Sequence, residues 1–225
     1  MEYILLAGGR GTRLREIVND RPKPLALING RPFITIILDR IIKYSCEKIF
    51  ITVSFKGDMF KKYLGSNYKG VPLKYIYEKS PLGTGGAVLN AFRFLSREKA
   101  IIINADTFLD LNYSKFIKYG TDKDYLLCAT KVENSERYGL LNISKDSKVL
   151  GFFEKQKNCS GYINSGVYMF NKSIIDLYKN IDNCSLETKI LKDLTDQNKL
   201  FAYKCNSFFI DIGIPKDFLN AQKYF

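Results

Sequence analysis

The alternation of apolar and polar segments predicts strands and helices in turn through the first half of the chain. Apolar residues recur at helical spacing over 32–45, after a proline start, and over 84–96. Apolar runs of strand length predict strands at 3–7, 48–53, 73–78 and 100–104. Because continuous apolar runs indicate strands covered on both faces, we expect a three-layer α/β fold with a mainly parallel sheet.

The second half of the chain carries a different pattern. Strand-like segments follow one another, with turns and no helix between them, at 124–132, 139–144, 148–155 and 161–170. This succession predicts an antiparallel, strand-rich lobe. A helix is expected at 185–197, then strands near 200–210 and a closing helix after Pro215. No internal repeat, low-complexity tract or linker interrupts the sequence, so we expect a single compact domain over residues 1–225.

The charge of the chain narrows the expected ligands. The 225 residues include 35 Lys+Arg and 23 Asp+Glu, a net charge of +12, which favours polyanions or small phosphorylated molecules. Scattered lysines that only keep the surface soluble are the alternative. The sequence has no basic helix with clustered arginines, no RNP-type aromatic motif and no zinc-finger spacing, so a nucleic-acid partner is not expected.

Cysteine and histidine usage limits the chemistry. The five cysteines are far apart and form no C-x-x-C pair, which is typical of a reduced, cytoplasmic protein. The opening segment lacks a basic flank, and charged residues interrupt the apolar run at 33–42, so neither a signal peptide nor a membrane span is expected. With no histidine in the chain, catalysis would depend on carboxylates, lysines, arginines, backbone groups and hard cations.

The loop after the first predicted strand combines features of an anion site. Its glycines at positions 8 to 11 allow backbone N–H groups to converge, Arg13 adds a planar fork for phosphate, and Lys23 stands between two prolines. The loop lacks the G-K-[ST] of a Walker A motif, and Leu14 stands where a Rossmann fingerprint needs its third glycine. A glycine-rich turn without function would explain the glycines, but it explains Arg13 and Lys23 poorly.

This loop resembles the L-A-G-G-x-G-T-R-L signature, followed by P-K-P, of the nucleoside-triphosphate:sugar-1-phosphate nucleotidyltransferases. The matching residues are Leu6, Ala7, Gly8, Gly9, Gly11, Thr12, Arg13, Leu14, Pro22, Lys23, Pro24 and Leu25. Further elements similar to the family follow in order at 78–88, 104–106, 152–155, 163–170 and 209–222. The resemblance covers nearly the whole chain. It implies a three-layer, Rossmann-like nucleotide-diphospho-sugar transferase fold, with a mainly parallel mixed sheet and a small antiparallel sugar-binding lobe.

The resemblance also implies a role for each matched residue. Nucleotide binding is expected from Leu6, Ala7, Gly8, Gly9, Gly11, Thr12, Arg13, Glu78, Pro81, Gly83 and Thr84. Sugar-phosphate binding is expected from Lys23, Asp106, Gly139, Glu154, Lys155 and Asn164. Arg13 and Lys23 are the expected catalytic residues, and Asp106 and Asp211 the expected Mg²⁺ ligands. Residues 1–110 would form a nucleotide-binding half and residues 111–225 a sugar-phosphate-binding half.

The physical chemistry of these residues agrees with the implied reaction. A sugar 1-phosphate is already a charged oxygen nucleophile, so its attack on a nucleoside triphosphate needs no general base, and a histidine-free protein suffices. Structural alternatives stay open: Lys23 as a solvated turn lysine, Asp106 as a strand-end cap, Asp211 as a turn residue and Lys155 as a surface charge. Glu154 and Asn164 would then only terminate strands.

The identities of the base and of the sugar are less constrained. A carboxylate at Glu78 can accept both N1–H and N2–H₂ of guanine, which favours GTP. Two alternatives stay open. Glu78 could accept the single N3–H of uracil or thymine, or it could merely cap its strand and face water. Departures from the family pattern fall in the sugar half, at Gln156, Ile214 and Phe208 or Phe209.

Among family members, the chain is most similar to those that make GDP-heptose from D-glycero-α-D-manno-heptose 1-phosphate. Members that act on N-acetylmuramate or hexose 1-phosphates come next. Because the chain ends soon after Asp211, no further domain is expected. A catalytically silent nucleotide-binding regulatory subunit is the non-enzyme alternative. The sequence does not determine the oligomeric state, and a homodimer is one of the open alternatives.

Overall fold

The computed structural model describes residues 1–9, 11, 14, 17–54, 56–153 and 159–225. Its strands are β1 (Glu2–Leu6), β2 (Leu27–Ile28), β3 (Arg31–Pro32), β4 (Lys48–Val53), β5 (Asn67–Tyr68), β6 (Val71–Tyr77), β7 (Lys99–Asn104), β8 (Thr107–Leu109), β9 (Tyr125–Val132), β10 (Leu140–Ile143), β11 (Val149–Phe153), β12 (Gly161–Asn171), β13 (Leu200–Cys205) and β14 (Phe209–Asp211). Its α-helices are α1 (Phe33–Ile41), α2 (Asp58–Leu64), α3 (Gly83–Phe92), α4 (Tyr113–Tyr119), α5 (Ile174–Leu177), α6 (Lys192–Asp196) and α7 (Pro215–Tyr224). A 3₁₀ turn covers Lys23–Leu25, and a π-helical segment at Leu186–Leu191 runs directly into α6.

One mixed sheet forms the centre of the protein. Its strand order is β11-β10-β12-β7-β1-β4-β6-β5, with β9 beside β12 and β13 beside β9. Strand β1 runs parallel to β4 and β7, and β4 runs parallel to β6. Strand β12 pairs antiparallel with β7 and so joins the antiparallel strands of the second half to the parallel ones. These pairings confirm the predicted α/β fold class with its mainly parallel central strands.

Both faces of the parallel strands are buried, as the continuous apolar runs predict. Alternate residues of β1 belong to different clusters, because side chains alternate across a strand. Leu5 packs in the cluster that contains α1, whereas Ile4 packs in the cluster that contains Val88 and Phe92 of α3. The sheet is therefore the middle layer of three.

The predicted strands and helices are present, with shifted ends. The helix expected at 32–45 ends at Ile41, and the one expected at 185–197 begins as the π-helical segment. The short elements β2, β3, β5, β8, α2, α4 and α5 were not predicted. Of these, the β2–β3 hairpin has a sequence signal, because Asn29-Gly30 occupies a turn with positive φ at both residues. In the described part of the chain, no helix combines the length and the apolar character needed to cross a membrane.

The register of the parallel strands places three chain segments at one edge of the sheet. Leu6 of β1 is aligned with Thr52 of β4 and with Asn104 of β7. The pairing continues beyond the strands, since Ala7 N donates to Thr52 O at 3.1 Å and Ala105 N donates to Leu6 O at 3.1 Å. The loops that follow these strands therefore begin side by side, at the carboxyl edge where α/β proteins bind ligands.

Candidate active site

A cleft of about 440 Å³ opens at this carboxyl edge. It is lined by Leu6, Gly8, Gly9, Thr52, Glu78, Pro81, Gly83, Thr84, Ala87, Asn104, Asp106 and Glu187. The fold thus brings together most of the described residues that the sequence assigned to nucleotide binding. Ala7 lies beneath the cleft in the core, where it is 3% exposed. Four predicted site residues fall outside the described part of the chain: Thr12, Arg13, Glu154 and Lys155.

The two glycines that line the cleft differ in their surroundings. A Cβ on Gly8 would lie 3.1 Å from Glu78 Oε1 and 3.4 Å from Ser54 Oγ, so a larger residue there would press against the Glu78 carboxylate. A Cβ on Gly9 would meet no atom within 4 Å. Packing therefore does not explain Gly9, whereas a ligand that approaches the backbone closely would.

Glu78 projects into the cleft instead of facing bulk water. Its Oε2 accepts a hydrogen bond from Leu82 N at 3.4 Å, and its Oε1 faces Gly8. Burial raises the pKa of Glu78, and the Leu82 N–H partly offsets this effect. A half-buried carboxylate with free acceptor capacity is suited to binding a ligand that offers N–H donors.

Lys23 lies in the 3₁₀ turn, which the buried side chains of Pro24 and Leu25 anchor to the core. Its Nζ donates to Asp106 Oδ2 at 2.5 Å, and its side chain is only 11% exposed. Gly11 has φ of +58°, and a Cβ on it would lie 3.1 Å from Lys23 Cβ. The glycine-rich loop therefore packs directly against Lys23, which is an oriented, paired cation and not a solvated turn lysine.

Asp106 and Asp211 are brought together by the small β8–β14 sheet. Strand β8 begins at Thr107, directly after Asp106, and Thr107 is aligned with Asp211 in antiparallel register. Ile212 N donates to Asp106 O at 3.1 Å, which closes this junction. Asp211 Oδ1 accepts from Gly213 N at 2.6 Å, so its orientation is fixed.

The charged side chains near Asp211 shift the pKa of its carboxyl group in both directions. Burial raises the pKa of Asp211, and the nearby charge of Asp106 raises it further, while Lys23 and Arg137 act in the opposite direction. Arg137 Nη2 donates to Asp211 Oδ2 at 3.2 Å, and its Nη1 contacts the Asp217 carboxylate. The sequence reasoning did not single out Arg137, since no local signal separates it from the other scattered cations.

Glu187 is a second residue that the sequence reasoning did not identify. Its Oε2 accepts from Thr84 Oγ1 at 2.9 Å and from Ser185 Oγ at 3.0 Å. Thr84 Oγ1 in turn accepts from Leu186 N at 2.8 Å. The start of the π-helical segment is thus tied to the start of α3, and this contact places a second carboxylate in the lining of the cleft that contains Glu78.

The glycines at the start of α3 have a packing role besides any binding role. Gly83 has φ of +69°, and a Cβ on it would lie 2.4 Å from Cys184 O. A Cβ on Gly86 would lie 2.4 Å from Asp182 O. Only glycine therefore lets this helix approach the backbone of 182–184, a constraint that the sequence pattern alone does not reveal.

The described residues of the predicted sugar site lie on the antiparallel strands. Asn164 Nδ2 donates to Tyr168 OH at 2.8 Å, and Asn164 Oδ1 accepts from Gly166 N at 3.0 Å. Gly139 precedes β10, where a Cβ would lie 2.8 Å from Phe153 O. Neither residue is among those that line the 440 Å³ cleft.

The arrangement favours hard-cation and phosphate chemistry. Asp106 and Asp211 supply carboxylate oxygens of the kind that Mg²⁺ prefers, and phosphate and water oxygens usually complete its coordination. Asn104, which also lines the cleft, has a buried Oδ1 without a hydrogen-bond partner among the described residues. Over the same residues, no cluster of three or more His, Cys, Asp or Glu side chains forms a closed protein metal site.

Comparisons with known proteins agree with this chemistry. The sequence profile of the nucleotidyl transferase family matches residues 2–225. The chain is 37% identical over 225 residues to the D-glycero-alpha-D-manno-heptose 1-phosphate guanylyltransferase of Aneurinibacillus thermoaerophilus, covering 99% of this chain and 97% of that protein. It is 36% identical over 220 residues to the Campylobacter jejuni protein of the same name, covering 97% of each.

A crystal structure of HddC from Yersinia pseudotuberculosis has the same fold. It aligns with a TM-score of 0.90 at 36% sequence identity, over 99% of this chain and 98% of that one. The alignment has the same values for HddC complexed with GMP-PN.

Proposed function

The chain belongs to the nucleotidyl transferase family, and from this premise we propose that it joins GTP to D-glycero-α-D-manno-heptose 1-phosphate, giving GDP-heptose and pyrophosphate. The single observation that carries the proposal is the Lys23–Asp106 pair, because Asp106 lines the same cleft as Gly8, Gly9 and Glu78. The relatives named as guanylyltransferases support both substrates.

In the proposed reaction, an oxygen of the sugar 1-phosphate attacks the α-phosphorus of GTP. The bond to the β-phosphate breaks and pyrophosphate leaves. No proton has to be removed from the nucleophile, so the barrier comes from bringing anions together and stabilising the charge that develops. Lys23 meets this charge between the α-phosphate and the sugar phosphate, while the backbone at Gly8 and Gly9, with Gly11, Thr12 and Arg13, holds the triphosphate.

Asp106 and Asp211 would hold Mg²⁺, with GTP and water oxygens as the other ligands. When bound, this ion neutralises phosphate charge and polarises the α-phosphorus for attack. The chain's own contribution is the orientation of the two carboxylates, through the β8–β14 register and the Gly213 N–H. Arg137 and Lys23 reduce the repulsion between these carboxylates before substrate arrives.

The two predicted halves divide the substrates in this proposal. Residues 1–110 bind the nucleotide, with Glu78, Pro81, Gly83 and Thr84 beside the base. Residues 111–225 bind the sugar phosphate together with Lys23 and Asp106 of the first half. There Lys155 neutralises the phosphate, and Glu154, Asn164 and Gly139 contact the sugar. Tyr168 supports this assignment because its hydroxyl holds the Asn164 amide in one orientation.

A pyrophosphate-release assay of GTP, UTP, dTTP and CTP against a panel of sugar 1-phosphates tests the proposal. We expect the highest kcat/KM for GTP with D-glycero-α-D-manno-heptose 1-phosphate. A preference for UTP, or for N-acetylmuramate or hexose 1-phosphates, would show that the proposed substrates are wrong. The proposed type of reaction, nucleotidyl transfer to a sugar 1-phosphate, would still hold. No pyrophosphate from any pair, together with nucleotide binding, would favour the silent regulatory subunit.

Glu78→Gln is expected to lower kcat/KM for GTP by about tenfold or more. The carboxylate can accept N1–H and N2–H₂ of guanine together, and such a charged pair of bonds contributes roughly 1.5–3 kcal/mol. A neutral amide that turns its oxygen to one donor and its NH₂ to the other loses most of this energy. The measurement is kcat/KM for all four triphosphates in the parent and in the variant.

Glu187→Gln is the matched control for this prediction. Its carboxylate lines the same cleft, but Thr84 and Ser185 already donate to it. We expect the order of base preference to be unchanged in this variant. An unchanged GTP preference in Glu78→Gln would show that Glu78 does not recognise the base.

A further inference from the structure

Two cysteines outside the candidate active site lie in contact. Cys128 is on β9, and Cys205 ends the neighbouring parallel strand β13. Their Sγ atoms are 3.7 Å apart. Cys128 is 0% exposed, whereas Cys205 is partly exposed. An oxidant in solvent would therefore meet Cys205 first and Cys128 only from within the protein.

The surroundings of Cys205 stabilise a thiolate. The hydrogen bond with the Cys128 thiol lowers the pKa of Cys205 to about 6, against the effect of burial, and the nearby polar groups of Ser207 and Thr130 act in the same direction. Burial raises the pKa of Cys128, as does the neighbouring sulfur. The pair therefore combines a partly exposed cysteine whose surroundings favour the thiolate with a buried cysteine whose surroundings favour the thiol, the arrangement of a redox-active thiol and its resolving partner.

We propose that Cys205 and Cys128 form a thiol modification site for small hydroperoxides such as hydrogen peroxide, which ends in a reversible disulfide. In the first step the Cys205 thiolate Sγ attacks one peroxide oxygen, the O–O bond breaks, and hydroxide leaves. The proton that Cys205 gave up to solvent on ionisation converts this hydroxide to water. In the second step Cys128 Sγ attacks the sulfenic acid sulfur, the S–O bond breaks, and water leaves with the Cys128 proton. The two sulfurs together lose two electrons, and the peroxide is reduced to two waters.

The closing step requires movement of the backbone at the end of β13. In the parallel register Cys128 is aligned with Tyr203 and Cys205 with Thr130, so the two cysteines are diagonal neighbours on adjacent strands. The sulfurs must approach from 3.7 Å to about 2.05 Å, the length of a disulfide bond. This movement would strain the segment that follows β13, because Thr130 Oγ1 on β9 donates to Ser207 O at 3.2 Å and so holds that segment to β9. The segment after Cys205 leads into β14 and Asp211, so the disulfide pulls on the connection that carries a proposed Mg²⁺ ligand.

The test treats the reduced full-length chain with equimolar hydrogen peroxide at pH 7. We expect a mass loss of about 2 Da, a Cys128–Cys205 linked peptide, and reversal by dithiothreitol. Cys128→Ser should leave Cys205 as a sulfenic acid that dimedone traps, and Cys205→Ser should abolish both products. Circular dichroism confirms that the serine variants are folded.

Cys46 is the internal control because it is also partly exposed, whereas burial raises its pKa to about 11. After the lower intrinsic nucleophilicity of a low-pKa thiol is allowed for, we expect Cys205 to react at least about tenfold faster than Cys46. Equal labelling of the two cysteines, or no linked peptide, overturns the proposal. A fall in turnover on oxidation is a separate readout that rests on the proposed function, whereas the linked peptide does not.

Discussion

Asp106→Asn is expected to lower kcat by on the order of 10²–10³-fold while leaving the protein folded. The substitution keeps the size of the side chain but removes the charge that would bind Mg²⁺ and that orients Lys23 Nζ at 2.5 Å. Turnover of the parent should also require a divalent cation. The measurements are initial rates of pyrophosphate release with and without EDTA, and the Tm of both proteins.

Asp110→Asn is the matched control for Asp106→Asn. Asp110 follows β8, its side chain is 53% exposed, and it pairs with Arg40 at 2.9 Å instead of Lys23. An exposed pair of this kind contributes little to stability, so we expect nearly parental turnover in this variant. Full activity of the parent in EDTA, or of Asp106→Asn in Mg²⁺, would contradict the mechanism.

Lys23→Ala is expected to lower kcat by about 10²-fold and to change the KM for GTP much less. In the proposed mechanism Lys23 contacts both the α-phosphate and the sugar phosphate, so its charge is most effective as those groups approach in the transition state. The chain holds its ammonium group in place before substrate binds, by the Asp106 pair and by contact with Gly11. Steady-state kinetics with each substrate varied in turn separates the two parameters.

Lys48→Ala supplies the comparison for Lys23→Ala. Lys48 starts β4 at the opposite edge of the sheet and pairs with Glu2 at 3.9 Å, so its removal should not affect turnover. If Lys23→Ala instead kept its kcat and raised only the KM for GTP, Lys23 would be a ground-state binding residue.

The sequence predicted the central fold well because the relevant signals are local. An apolar run such as 100–104 forms a strand covered on both faces, and a loop that follows such a strand in this architecture leads into the carboxyl edge. The positions of Gly8, Glu78 and Asp106 in one cleft follow from this rule and from the family resemblance. Short elements such as α4 and α5 were missed because so few residues carry a weak periodic signal.

The residues that the sequence did not reveal depend on contacts between distant parts of the chain. Thr84 and Glu187 are 103 positions apart, and only the folded chain joins them. Arg137 gains its partners from β14 and α7. Gly83, at the start of α3, was assigned to nucleotide binding, yet its close approach to the backbone of Cys184 requires glycine in any case. A sequence pattern cannot separate two reasons for the same residue.

The β8–β14 pairing also determines when the proposed catalytic group can exist during folding. Asp211 reaches Asp106 only through strand pairing between distant parts of the chain, and such non-local pairings are slow to form because their loop-closure entropy must be overcome first. A nascent chain still short of residue 211 contains the residues of its central parallel strands but lacks the second proposed Mg²⁺ ligand. Under the proposed mechanism, metal-dependent turnover would therefore begin only after the β8–β14 pairing has formed.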